Sequence, residues 1–173
     1  MKAITICIAA SILAIGCSAP SNQTGSGMNP ETKTLYEKNL LVLKAMIAAY
    51  ENEQLDTWGT YVSDTAVWNP AAYGSVPGTK ETWAASLAGY VAEWDSIKLM
   101  NANFLPGVDQ NTKEFDGSVR YYGVWVGMHK SGVETSLNYY ATADFNADGK
   151  LTVYSEYFDA GGLLNAIRPK EQP

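Results

Sequence analysis

Two runs of alternating residues flank Asn146-Ala147-Asp148-Gly149 and together fill the stretch from Gly132 to Asp159. Turn residues between period-two runs specify a β-hairpin. In the first run Val133, Leu137, Tyr139, Ala141, Ala143 and Phe145 take the odd positions, while Glu134, Ser136, Asn138, Thr142 and Asp144 take even ones. One face is therefore buried and the other mostly wet. If Phe145 and Lys150 close the loop, Tyr154 lies across from Ala141 and Glu156 across from Tyr139. Glu156 then points to the apolar side, beside small residues that leave room for it. A buried carboxylate is costly unless it is paired or used. A loop one residue longer or shorter would turn Glu156 outward.

The 173 residues amount to one domain, but the N-terminus does not belong to it. Lys2 precedes an apolar run from Ala3 to Ile15, too short for a membrane span and typical of a secretory signal core. Its end, Leu13-Ala14-Ile15-Gly16-Cys17, resembles the lipobox of bacterial lipoproteins. That resemblance implies a signal peptide over residues 1–16 and a lipid on Cys17, with plain signal cleavage as the alternative. Residues 17–28 are the lipidated cysteine and a flexible Ser/Gly/Asn/Pro-rich tether, and residues 29–173 are the folded domain. The expected location is extracytoplasmic, in the cell envelope, anchored to a bacterial membrane through Cys17 and facing either periplasm or surface.

Cys7 would leave with the signal and Cys17 would be acylated, so no cysteine remains for a disulfide or a thiolate metal site. The net charge of −6 becomes more negative once Lys2 is removed, and the basic residues are scattered. Nucleic acid is therefore not an expected partner. Five tryptophans and eleven tyrosines supply core, with a subset available to line an apolar pocket.

Asn29, Pro30 and Glu31 form a helix start, and Tyr36, Leu40, Leu43, Ile47 and Tyr50 continue it as one apolar face. Asp56 is placed to cap a short second helix through Tyr61 and Val62. Thr65 to Asn69 reads as a short strand stopped by Pro70. Thr79 caps a third helix, with Trp83, Leu87, Tyr90, Val91 and Trp94 on one face and Asp95-Ser96 as its break. Ile97 to Leu105 is a strand ended by Pro106-Gly107, followed by a polar loop from Val108 to Gly117. Ser118 to Met128 is a long strand, apolar on both faces, with Val119, Tyr121 and Trp125 on one and Tyr122, Val124, Val126 and Met128 on the other. Such a strand is covered on both sides, by the helices and by a second subunit, so a homodimer is expected. The turn at Lys130-Ser131-Gly132 leaves open which face holds Trp125. Asp159 opens a short last helix carrying Leu163, Leu164 and Ile167. Helices followed by meandering strands make an α+β layer fold.

Tyr61 through Pro70, Gly78 at the third helix, Asp144 through Leu151, and Asp159-Ala160-Gly161-Gly162-Leu163-Leu164 occur in an order and spacing that resembles the NTF2-like superfamily. The last two segments resemble the closing hairpin and tail of SnoaL-like polyketide cyclases. The resemblance spans Asn29 to Ile167. It implies a cone: a curved, mostly antiparallel sheet wrapped by three N-terminal helices, with a short C-terminal helix and a pocket inside. Ketosteroid isomerases of this fold carry a base Asp in a segment that matches Val67-Trp68-Asn69-Pro70. Asn69 stands there and cannot accept a proton. Their oxyanion acid matches Ala141, and their helix-one tyrosine falls near Ala45 or Met46. Histidine-based dehydratase chemistry has only His129 to draw on, and epoxide hydrolase-like chemistry only Arg120 and Arg168. In the SnoaL-like cyclases a carboxylate on the last strand acts as base, and Glu156 and Asp159 fall in the matching segment. Glu156 is favoured, because the hairpin register turns it inward; the structural alternatives are a helix N-cap for Asp159 and, for Glu156, an inward acid satisfied by Tyr139 or another tyrosine.

Asp144-x-Asn146-x-Asp148-Gly149 resembles the start of a calcium loop, but its twelfth position is Ser155 rather than a glutamate, and a hairpin turn accounts for the same residues. His129 lacks companions at ligand spacing. No cofactor and no metal are expected. The expected site therefore comprises Glu156 and Asp159 as candidate acids, with Trp68, Asn69, Tyr139, Tyr154 and Phe158 lining a pocket for a small apolar or aromatic molecule. The preferred function is non-catalytic binding. The alternatives are a cofactor-free cyclase, isomerase or dehydratase, and an envelope interaction module.

Overall fold

The computed structural model describes residues 27–168. The signal, Cys17 and most of the tether lie outside the described residues. The elements run α1 (Pro30–Glu51), α2 (Leu55–Thr60), β1 (Val62–Asn69), α3 (Lys80–Glu93), β2 (Trp94–Val108), β3 (Phe115–His129), β4 (Glu134–Phe145), β5 (Leu151–Tyr157) and α4 (Ala160–Ile167). The strands form one sheet in the order β1-β5-β4-β3-β2. Its pairings are antiparallel except for the parallel β1–β5 pair. This is the expected α+β architecture, with the helices on one face of the sheet.

The helix starts follow from local chemistry. Asn29 accepts a hydrogen bond from the Thr32 N–H at 2.8 Å, and Pro30 supplies a preset φ where no donor is needed. Thr79 and Thr82 close a reciprocal capping box at α3. Asp56 does not cap α2. That helix begins at Leu55, after Gln54, and Asp56 sits within its first turn, where an acid still complements the helix dipole.

Leu43, Met46 and Ile47 of α1, Trp58 of α2 and Trp83 of α3 pack against the inner face of the sheet. That face is made of Val119 and Tyr121, Ala141 and Ala143, and Leu151 and Tyr154, all close to fully buried. The two alanines have no exposed surface, and their small side chains leave room in the interior. On the opposite face Tyr122, Tyr140 and Tyr157 form an aromatic ladder across three strands, with ring centroids 4.8 and 5.5 Å apart. Tyr122 and Tyr157 are exposed in the single chain. The sequence left open which face of β3 lies inside; Tyr121 is buried and Tyr122 is exposed.

Several boundaries differ from expectation for identifiable reasons. Trp94 opens β2 rather than closing α3, and its indole N–H donates to Thr135 at 3.1 Å. β2 runs through Pro106-Gly107 instead of stopping there. It is an edge strand, so a proline lacking an N–H is tolerated, and its register shifts between Pro106 and Val108. Two further shifts in β2 coincide with the positive φ of Ser96 and Asn101, and such bulges bend a sheet. β3 begins at Phe115, inside the expected loop.

The β4–β5 pairing also departs from the simple hairpin. The turn closes through Asn146 N–H to the Lys150 carbonyl at 2.9 Å, so Phe145 lies opposite Leu151 rather than Lys150. Alone, that one-residue change would turn Glu156 outward. A bulge at Asp144/Phe145 adds a second one-residue shift, and two shifts restore the original face. Glu156 thus pairs with Ala141 and Tyr154 with Ala143, with both side chains directed inward.

At the far end of β3, Gly117 has φ +84° and its carbonyl accepts a hydrogen bond from buried Asn39 of α1 at 2.9 Å. A Cβ there would meet Leu35 Cδ2 at 2.6 Å. Gly117→Ala combines an unfavourable φ with a clash against α1, and should destabilise the fold by about 1–3 kcal/mol. The urea midpoint should fall accordingly. An unchanged midpoint would show that α1 does not bear on this corner as the contacts indicate.

Candidate functional site

Inside the cone, between α1, α3 and the inner sheet face, lies a cavity of about 110 Å³. Tyr50 and Tyr90 reach it from the helices, and Trp68, Trp125, Tyr139 and Phe158 from the sheet side. Among the described residues Glu156 is its one acidic lining residue, and no Lys, Arg or His is among the side chains that line it.

Each element brings its residue for a local reason. β1 pairs with β5 in parallel, so Trp68 lies beside Tyr154 and on the same face. Gly78 returns the following loop onto Trp68 through two backbone hydrogen bonds, of 2.7 and 2.9 Å. A Cβ at Gly78 would come within 3.0 Å of the Trp68 ring, so the glycine permits this approach. In β3, Trp125 pairs with Leu137 and Tyr121 with Ala141. The odd residues of β3 therefore share the inner face with the odd residues of β4, which places Trp125 inside. The edge of the Tyr50 ring meets it at 5.5 Å.

Glu156 is held by two donors. The Trp68 indole N–H donates to Oε1 at 3.1 Å, and the Tyr139 hydroxyl donates to Oε2 at 2.6 Å. The Tyr139 hydroxyl lies 2.9 Å from that of Tyr154, which lies 2.6 Å from that of Tyr121. Because Tyr139 gives its proton to the carboxylate, Tyr154 must donate to Tyr139, and Tyr121 to Tyr154. Three buried hydroxyls thus point in series toward one carboxylate. Such a chain is mutually polarising in a low-dielectric interior.

Burial pushes the Glu156 carboxyl above its ordinary 4.5, and the Tyr139 and Trp68 hydrogen bonds oppose the shift. Burial also raises Tyr121, Tyr139 and Tyr154 above their ordinary 10.0. Across the cavity Tyr50 and Tyr90 are raised by burial first, with the Glu156 charge adding to it. The tyrosines therefore remain neutral donors wherever Glu156 titrates.

Of the residues singled out in the sequence, Glu156, Trp68, Tyr139, Tyr154 and Phe158 come together at the cavity. Asn69 does not. It pairs with Ser155 on the other face of the sheet, and its side-chain N–H donates to the Ser155 hydroxyl at 2.9 Å. Asp159 is exposed and accepts the Gly162 N–H at 2.7 Å as the N-cap of α4. A carboxylate occupied with a helix N-terminus outside the cavity has no access to a molecule within it. The sequence reading missed Tyr121 as the end of the hydroxyl chain. It also treated Tyr50 and Tyr90 only as apolar faces of helices. The alternation of β3 carried the signal for Tyr121, and the β3–β4 register was needed to use it.

The segment Asp144 to Gly149 forms the β4–β5 turn, where the Asn146 side chain accepts the Lys150 N–H at 2.9 Å and Gly149 takes φ +75°. Among the described residues no group of three or more His, Cys, Asp or Glu is arranged for a metal ion.

The same arrangement of the chain is found in solved structures. A proposed polyketide cyclase from Xanthomonas campestris matches with a TM-score of 0.63 at 13% identity, covering 78% of this chain and 99% of its own. An NTF2-like protein from Burkholderia xenovorans matches with a TM-score of 0.59 at 15% identity, covering 76% of this chain and 97% of its own. The chain has the NTF2-like fold. A Catenulispora acidiphila protein with a ketosteroid isomerase-like fold, solved in complex with trimethylamine, matches with a TM-score of 0.59 at 15% identity, covering 72% and 90% of the two chains. No protein-family model matches the sequence, and no curated protein matches it. The likeness is one of fold, and the chemistry of this chain rests on its own side chains.

A carboxyl raised in the folded state binds its proton more tightly there than in the unfolded chain. Its contribution to stability is present below the ordinary value of 4.5, is lost as pH rises toward the raised value, and is constant above it. Across that window the stability of the natural protein should therefore fall relative to Glu156→Gln. Denaturant unfolding of both proteins over a pH series measures the difference, and groups outside the cavity cancel. A difference independent of pH would mean that Glu156 is not raised.

Proposed function

We propose that this protein is a lipid-anchored extracytoplasmic binding protein whose NTF2-like cone holds one small molecule of about single-ring size. The observation that carries the reading is the aromatic cavity with a single acid, Glu156, held in place by two donors. Ligand sites are characteristically apolar and aromatic with a few placed polar groups. Size narrows the choice. An apolar cavity of about 150 Å³ takes up benzene, so 110 Å³ suits one ring or a compact branched molecule better than a fused-ring polyketide. Single-ring probes such as benzene and phenol should raise the melting temperature and change tryptophan emission saturably, since Trp68 and Trp125 line the cavity. Failure of neutral and charged probes of this size alike to bind would overturn this reading.

A second reading is supported by the raised carboxyl. Glu156 could act as general base on a carbon next to a carbonyl, taking the proton on an Oε while the electron pair moves to the carbonyl oxygen. The hydroxyls of Tyr50 and Tyr90 are among the lining groups able to donate to that oxygen. Among single-ring ketones, loss of turnover with retained binding in Glu156→Gln would favour catalysis over binding.

The anchor rests on the sequence from Leu13 to Cys17. Cys17→Ala should abolish acylation and move the protein from the membrane fraction to the soluble one. Continued sedimentation with membranes would rule out attachment through Cys17.

A further inference from the structure

The cavity has an unbalanced charge. Among the described residues Glu156 is its one acid, and no basic side chain lines it. The groups that do face Glu156 are neutral donors: Tyr139 of β4, Trp68 of β1, and, across the space, Tyr50 of α1 and Tyr90 of α3. Each carboxylate oxygen accepts one hydrogen bond. A carboxylate has about four acceptor positions, so part of its capacity is left for a ligand.

Much of the remaining wall is aromatic, with aliphatic residues such as Ile47, Leu87 and Leu137 between the rings, and the faces of aromatic rings are electron-rich. Trp68 and Trp83 lie nearly parallel at 6.3 Å, Trp83 stacks on Tyr154 at 4.5 Å, and Trp125 meets Tyr50 and Tyr139 edge-on. Three kinds of guest can be compared. An anion would be repelled by Glu156. A neutral molecule would leave the carboxylate with its two hydrogen bonds but no opposite charge, so part of its desolvation cost would stay uncompensated. A cation would pair with Glu156 and gain cation–π attraction from the rings. A metal ion is the wrong cation, because it needs several oxygen ligands and the wall offers one carboxylate. The acidic chain, at −6, favours the approach of cations as well.

We propose that the cavity selects a small organic cation, an alkylammonium of compact shape, which pairs with Glu156 and packs against the surrounding aromatic rings. This rests on the binding reading above and narrows its ligand from any small apolar molecule to a positively charged one. The volume limits the guest to an ammonium carrying a few methyl or methylene groups, and the apolar walls favour alkylated nitrogen over bare ammonium.

Tetramethylammonium and 2-methylpropan-2-ol are nearly the same shape and differ in charge. Their affinities for the folded protein, with phenol as a neutral ring, can be measured by calorimetry and tryptophan emission. The expected result is tetramethylammonium binding at least about tenfold tighter than the alcohol. Glu156→Gln should remove that preference while keeping phenol binding. Tyr90→Leu, which keeps the carboxylate and removes one ring, should weaken the cation several-fold and serves if the glutamine variant does not fold. Phenol binding without a preference for the cation, or a preference that survives in Glu156→Gln, overturns the cation proposal and leaves the cavity reading standing. If none of the three probes binds, both fall.

Discussion

Glu156 accepts one hydrogen bond from the Trp68 indole and one from the Tyr139 hydroxyl, and these two contacts keep a carboxylate inside an aromatic interior. Desolvating an ion costs several kcal/mol. Hydrogen bonds to a charged group return about 1.5–3 kcal/mol each, which offsets much of that cost. Tyr154 and Tyr121 extend the arrangement by donating in turn toward Tyr139. The result ties β1, β3, β4 and β5 together through side chains as well as through their ladders. It also fixes the electrostatic character of the cavity, which has a negative centre in a neutral, ring-lined wall.

That centre exists because of parity. The β4–β5 turn alone would face Glu156 outward, and the bulge beside it turns the strand back. Fully buried Ala141 and Ala143 provide space where larger residues would fill the cone. The parallel addition of β1 then sets Trp68 beside Tyr154, within reach of the carboxylate. Gly78 allows the loop after β1 to lie against the Trp68 ring. A bulge, two alanines and a glycine thus decide whether Glu156 is a surface residue or the core of a site.

Solved structures sharing this fold match at 11–18% identity, a level at which architecture persists and side-chain chemistry does not follow. The chain illustrates that separation. Asn69, which occupies the position of a catalytic base in the family resemblance, belongs to the outer face with Ser155. Asp159 completes a helix end. The acid that remains at the cavity is Glu156, and its partners there are tyrosines and a tryptophan rather than a second acid or a histidine. A charge with neutral donors around it is suited to holding a guest, and it becomes a base only for a guest that presents an acidic carbon to it.

Much of this was legible without coordinates. Alternation from Val133 to Phe145 separates a buried from a wet face because successive side chains on a strand point oppositely. The Asn29-Pro30 and Thr79 helix starts depend on contacts three residues away. The order of helices and strands identified the α+β class, and the inward direction of Glu156 was expected, though from a register that proved different in detail. Tertiary structure decided what depends on residues distant in sequence. The β3–β4 register put Trp125 inside, edge position carried β2 through Pro106, and the β1–β5 pairing brought together Trp68 and Glu156, 88 positions apart. Local sequence determines which faces are apolar, because backbone geometry repeats every two or 3.6 residues. Which side chain meets which across the interior depends on register, and a single bulge changes that.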